Sequence, residues 1–235
     1  MPTDRRSDLG SLRCSWLLRQ RGYDFVGEDD LETKLSVRGK WPDFYAWKEN
    51  VRFLIEVESF EGPTVLRSFV ERSAWIDPGR LTKRIDTAVR RAARQLKPYH
   101  DEAIPLLVVL DNHRRVGLPL DPVDLIQLLG SVEVRATLDP LARTTGPPHW
   151  QHGGGQTLSP GWKTYLSAIA VNLPKKGYAH VEPSDAERPM RVRLLHNPYA
   201  IVPFPPGVFV DPEDEHGRWD AEIWNWRAGD DGSLR

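Results

Sequence analysis

Cysteine is almost missing from this chain: Cys14 is the only one in 235 residues. A lone thiol excludes an internal disulfide framework and any thiolate-rich zinc site. Within a helical, apolar stretch it reads as a small buried hydrophobe. Long apolar runs are missing too, none approaching the roughly 18 residues that span a bilayer. The opening residues, MPTDRRSDLGSLRCSWLL, carry charges throughout and lack the apolar centre of a secretory signal. The expected location is the cytoplasm. A bias to one charge sign is also lacking: formal net charge is -1, which excludes a generally basic nucleic-acid coat. No internal repeat is present. Gly153-Gly154-Gly155 lacks the Lys-Ser/Thr and helix start of a phosphate-binding loop and reads as flexible linker.

What the chain does contain fits a soluble globular protein with a large core, since hydrophobic residues are 40% and charged residues 28%. Charge is unevenly spread. Leu66 to Lys97 holds nine Lys or Arg against three acids, while Asp211 to Arg235 holds eight acids against three Arg. A basic segment beside an acidic tail points to one polyanion-facing surface on a neutral body.

The spacing of Leu9, Leu12, Trp16 and Leu17 predicts a helix over 8–21, stopped at Gly22. Residues 23–40 are charged and show no period. Two strands are expected over 43–48 and 51–58, joined by a turn at Lys48-Glu49-Asn50. Residues 60–79 read as loop with a helical turn. RLTKRIDTAVRRAARQLKPYH, 80–100, predicts a helix with Leu81, Ile85, Ala88, Ala92 and Leu96 on one stripe. LLVVL, 106–110, is a strand buried on both faces. DPVDLIQLLG, 121–130, reads as a short capped helix and 131–138 as a further strand. Residues 139–161, rich in Gly and Pro, form a loop or linker. TYLSAIAVNL and MRVRLLHNPYAIVPF are strand material. Trp219, Trp224 and Trp226 give the tail enough apolar area to dock. The division is a core over 1–138, a loop over 139–161 and a strand-rich extension over 162–235 packed on the core. The class is α/β, a mixed sheet flanked by helices.

The stretch PDFYAWKENVRFLIEVES carries the chemistry. In Val51 to Glu58 the side chains alternate, so Glu56 and Glu58 project from one face beside Leu54. Like charges that close repel unless a cation lies between them, and Mg²⁺ takes one or two carboxylates while keeping several waters. Asp43 joins them in one register. A two-residue turn at Glu49-Asn50 sets Asp43 opposite Glu56; a three-residue turn sets it opposite Ile55 and turns Glu56 away. The plain alternative is two acids at a solvated strand end. Several other groups read as structural. His149 and His152 fall in a loop without a third ligand. His196-Asn197-Pro198-Tyr199 is a turn former. Asp111-Asn112-His113 ends a buried strand and is a secondary candidate.

The order of these motifs resembles the PD-(D/E)xK nuclease superfamily. Pro42-Asp43-Phe44 matches its first element, Ile55-Glu56-Val57-Glu58 its second, and AVRRAARQLKPY with Gln95 the helix that carries a supporting glutamine in some members. IPLLVVL matches the strand that follows, and the resemblance covers roughly residues 8–111. It implies a restriction-endonuclease-like fold and a metal-dependent phosphodiesterase, a DNA endonuclease or exonuclease acting in defence against foreign DNA or in repair. It implies Asp43 and Glu56 as ligands of Mg²⁺ or Mn²⁺, Asp8 as a further acid on the first helix or simply its cap, and Gln95 as support. The pattern departs at Glu58, where the superfamily usually has lysine. Glu58 then binds a second metal or acts as base, or Lys40, Lys83 or Lys97 reaches in, or activity is lost and the chain is a binding or assembly module. Arg84, Arg91 and Arg94 are the expected contacts to the nucleic-acid backbone. The reading admits a protein partner on the C-terminal extension and a homodimer, and no membrane.

Overall fold

The computed structural model describes residues 7–31, 41–60, 78–111, 125, 128, 132–135, 138–139, 144–145, 149–152, 157–159, 161–175, 189–220 and 223–228. The first helix, α1, spans Ser7–Gln20. It stops where the sequence predicts. Gly22 takes φ +70, its N–H donates to the Arg19 carbonyl at 3.0 Å, and the Tyr23 N–H donates to the Leu18 carbonyl at 2.9 Å. These two bonds satisfy carbonyls that a helix end leaves open, and the left-handed residue between them is cheapest as glycine.

The buried face of α1 differs from the expected stripe. Gly10, Arg13, Cys14, Leu17 and Leu18 are buried, whereas Leu12 is 51% exposed. A buried ion pair at Arg13, described below, places a charged residue on the inner face, which hydropathy assigns to the surface.

Strand β1 (Asp24–Gly27) and the single turn α2 (Glu28–Leu31) correct the reading of 23–40 as patternless. β1 is too short and too exposed to show alternation. Its order comes from pairing with β2 (Phe44–Lys48), from Asp24↔Trp47 to Gly27↔Phe44. β2 pairs in turn with β3 (Val51–Ser59) through Lys48↔Val51 to Phe44↔Ile55, the register of a two-residue turn. Helix α3 spans Pro78–Leu96, with proline at its first position, where no N–H is needed. It ends earlier than expected because Pro98 has no N–H to donate, and the chain tightens into a 3-10 segment over Lys97–Glu102.

β4 (Leu106–Asp111) is buried at every residue, as its unbroken apolar run predicts. Of the helix expected over 121–130, Leu125 and Leu128 are described, and both are buried. β5 (Val132–Arg135), β6 (Leu138–Asp139), β7 (Thr144–Thr145) and β8 (His149–His152) follow. They form two small separate sheets, β5 with β8 and β6 with β7. The linker expected over 139–161 is corrected here. Its Gly/Pro clusters bound short paired strands, and His149-Trp150-Gln151-His152 lies across from Arg135 to Val132. The run Gly153 to Gly155 lies outside the described residues.

β9 (Ala168–Pro174), β10 (Met190–His196), β11 (Glu215–Asp220) and β12 (Ile223–Ala228) complete an eight-stranded mixed sheet. Its order is β1-β2-β3-β4-β9-β10-β11-β12. β3, β4 and β9 run parallel, as do β10 and β11, and the other pairs are antiparallel. The segment after 162 is thus continuous with the sheet, and β9 lies directly against β4.

The two faces of the sheet make two cores. α3 covers Leu54, Val108, Leu110, Ile169 and Val171 with Ile85, Val89, Ala92 and Leu96. Cys14, Leu17 and Leu18 of α1 pack in the opposite core with Phe53, Ile55, Leu107, Val109, Ala170 and Val192. Each fully buried branched side chain contributes about 1.5–3 kcal/mol. Arg21 ties the end of α1 to the C-terminal strands. Its Nη2 donates to Asp214 at 2.9 Å and to the Met190 carbonyl at 3.1 Å, and Asp214 also accepts the Val192 N–H at 2.7 Å. No helix among the described residues is long and apolar enough to cross a membrane.

Candidate active site

The hairpin places the first two acids. The pairing ends at Phe44↔Ile55, and that register continued by one step would set Asp43, the residue before β2, opposite Glu56. The Asp43 carboxylate accepts the Val57 N–H at 2.7 Å. That bond joins the residue before β2 to β3, at the backbone N–H between the two glutamates.

Glu56 and Glu58 are each 4% exposed, on the face of β3 that α3 covers. A buried carboxylate needs a counter-charge or donors. Arg91 of α3 supplies them for Glu58: its Nε lies 2.7 Å from Oε1 and 2.9 Å from Oε2, and Nη2 makes a third contact to Oε2. The outer part of Arg91 stays open, with 62% of its side chain exposed. The cation that meets Glu58 therefore comes from the helix. Lys83 and Lys97 are exposed, and Lys40 lies outside the described residues.

Glu56 makes itself felt at Tyr99. Burial first, then Glu56 and Glu28, pushes that phenol up to about 12. Burial also raises the Cys14 thiol well above its ordinary value, with Asp43 and Asp111 adding to it. Cys14 is therefore a protonated, inert thiol, as expected.

Gln95 lies four residues beyond Arg91, on one stripe of α3 with Arg84. Arg91, Arg94, Gln95 and Pro98 line an open groove of about 380 Å³. Arg94 is exposed, its Nε donating to the Arg90 carbonyl at 3.3 Å, and Arg84 is half-buried. Asp8 is the second residue of α1 rather than the residue preceding it, so it does not occupy the expected cap position. Its stripe-mate Leu12 points to solvent, and the Asp8 side chain lies outside the described residues.

The remaining sequence candidates separate. Asp111, the secondary candidate at the end of β4, is fully buried and bonded to Arg13 Nη1 at 3.3 Å; Asn112 and His113 lie outside the described residues. Asn197 forms the expected turn, accepting the Tyr199 N–H at 3.0 Å and donating to the Leu166 carbonyl at 2.7 Å. His196 stacks on His216, with ring nitrogens 3.2 Å apart. Sequence reasoning missed the Glu58–Arg91 and Asp111–Arg13 pairs. The one signal for the first was Arg91 falling beside the buried stripe of an amphipathic helix.

Among the described residues no group of three or more His, Cys, Asp or Glu is placed to hold a metal ion. Asp43 and Glu56 nonetheless fit a hard cation by their chemistry, because Mg²⁺ needs only one or two carboxylates and completes its shell with water and substrate oxygens. No protein-family model matches the chain, and no curated protein or solved structure matches it either.

Proposed function

We propose that the chain is a metal-dependent phosphodiesterase of the PD-(D/E)xK kind, with a restriction-endonuclease-like fold, that cleaves DNA. Asp43 and Glu56 hold Mg²⁺ or Mn²⁺. The observation that supports this reading is the two-residue hairpin register, which ends at Phe44↔Ile55 and, continued by one step, would bring Asp43 across from Glu56.

A bound divalent ion supplies positive charge to the phosphoryl oxygens and lowers the pKa of water toward neutrality. The chain's own residues do the rest. The Val57 N–H holds the Asp43 carboxylate against β3, beside the residue that follows Glu56. Arg91, anchored by Glu58, brings a guanidinium to the position where the superfamily usually has lysine. Its exposed part faces the groove, where Arg94 and Gln95 hold the substrate backbone. Defence against foreign DNA or repair is the setting in which such nucleases commonly act.

A second reading is favoured by one specific observation. Arg91 occupies both oxygens of Glu58, as expected of a member that kept the fold and serves as a binding module. Cleavage of supercoiled plasmid, linear duplex and single-stranded DNA with Mg²⁺ or Mn²⁺ separates the two. Metal-dependent cutting that disappears in Asp43→Ala and Glu56→Ala is the expected result. Folded wild-type protein that cuts none of these overturns the nuclease reading.

A further inference from the structure

Trp162 stands well out in solvent, 57% exposed. It is not on a loose tip. Its N–H donates to the Ser159 carbonyl at 2.9 Å, and the Ser159 N–H returns to the Trp162 carbonyl at 3.4 Å. The flanking Leu158 and Leu166 are fully buried, and the Tyr165 hydroxyl donates to the Ala93 carbonyl of α3 at 3.1 Å. The next residue, Lys163, takes φ +51, a conformation side-chain-bearing residues adopt only when their surroundings impose it. This backbone sets Lys163 Nζ 6.0 Å from the Trp162 ring centre.

Lys163 is short of an anion. Its Nζ is buried and has no hydrogen-bond partner among the described residues. Burial, then Arg90, holds the amine down at about 8, with Asp86 acting the other way and Arg94 adding to the repulsion. Asp86 is already engaged, 2.7 Å from Arg90 Nε. Three cations against one carboxylate repel unless a further anion lies among them. An anion subsite with an exposed indole beside it matches a nucleotide, whose phosphate and base are joined at that scale. An acidic peptide would satisfy the cations and leave the ring unused.

We propose that the turn carrying Trp162 and Lys163, with Arg90 and Arg94 of α3, is a docking site for single-stranded nucleic acid. A base stacks on Trp162 and the adjoining phosphate lies among Lys163, Arg90 and Arg94. The site uses none of Asp43, Glu56 or Glu58 and shares only Arg94 with the groove of the hydrolytic reading, so it goes beyond that reading and is tested without it.

The test is fluorescence anisotropy of short labelled oligothymidylate and oligouridylate with the full chain in EDTA, where no metal-dependent cutting occurs. Trp162→Ala should weaken binding on the order of tenfold, and Trp162→Phe should keep most of it. Lys163→Met should weaken binding several-fold and reduce the salt slope by about 0.7, the loss of one phosphate contact. Unchanged affinity in both Trp162→Ala and Lys163→Met, with folding verified by circular dichroism, overturns the proposal. So does polyphosphate or polyglutamate displacing the oligomer equally well from wild type and Trp162→Ala. A protein that binds in this way and cuts nothing keeps the docking site and loses the nuclease reading.

Discussion

Arg91 on α3 grips both carboxylate oxygens of Glu58 on β3, with Nε at 2.7 and 2.9 Å. The pair is lopsided, since Glu58 is buried and Arg91 largely open. Removing the arginine strands a buried carboxylate, whereas neutralising the acid leaves a guanidinium that water solvates. Arg91→Ala should therefore lower stability by about 1–3 kcal/mol, and Glu58→Gln by less. Urea unfolding of both single variants and the double variant checks this. Additive losses would mean the contact carries no coupling.

Glu49 holds the hairpin register at an unfavourable backbone angle. It takes φ +53 at the first of the two turn positions, where glycine is the favoured residue of a II′ hairpin. Glu49→Gly should raise stability by about 0.5–1 kcal/mol and leave metal-dependent activity unchanged. A large loss of stability would show that the Glu49 side chain does something the backbone does not explain.

α1 sits on β3 through Gly10. A methyl group there would run into Ser59 Oγ and approach Val57 at 3.3 Å. Gly10→Ala should cost about 1–3 kcal/mol by overpacking. Adding Ser59→Ala removes the obstructing oxygen and should restore most of the loss. A double variant no better than Gly10→Ala alone would place the strain elsewhere.

The fully buried Arg13–Asp111 pair, 3.3 Å apart, joins α1 to the end of β4. Asp111→Ala should destabilise by about 3–5 kcal/mol, because it leaves a buried guanidinium without its carboxylate. Replacing both residues by apolar ones of similar size should recover most of the loss. Melting temperatures of the single and double variants decide it.

Lys163 gives a pH signature. Its folded pKa, about 8, lies below the ordinary lysine value of 10.5 because of burial and Arg90, with Asp86 opposed and Arg94 contributing. A base with a depressed folded pKa destabilises fully below that pKa, where it is charged in both states. The penalty fades as pH rises from about 8 to about 10.5. Lys163→Met should therefore be more stable than wild type at pH 7, with the gap closing as pH approaches 10.5. A gap independent of pH would exclude titration of this amine as its cause.

The sequence disclosed the central fold where residues are apolar and regularly spaced. The LLVVL run became a strand buried on both sides, and Gly22 ended α1. It hid elements whose order comes from partners distant in sequence. β1 has one exposed and three half-buried residues and exists by pairing with β2. His149 to His152 became a strand only because Val132 to Arg135 lies beside it. Arg13 is the sharpest case: hydropathy places it on the surface, and Asp111, 98 residues away, draws it inside. At the candidate site, the shared face of Glu56 and Glu58 followed from strand alternation. The two-residue register of the hairpin depended on one turn residue adopting φ +53, which composition does not reveal. The guanidinium on Glu58 depended on how α3 is rotated over the sheet.

The central claim is that Asp43 and Glu56 together hold a divalent cation. Titration of Mn²⁺, with free ion followed by electron paramagnetic resonance, tests it without any assumption about substrate. The account predicts binding by the wild-type chain, loss of that binding in Asp43→Ala and in Glu56→Ala, and retention in Trp162→Ala. Absence of Mn²⁺ binding by folded wild-type protein, or equal binding by the two carboxylate variants, would contradict it.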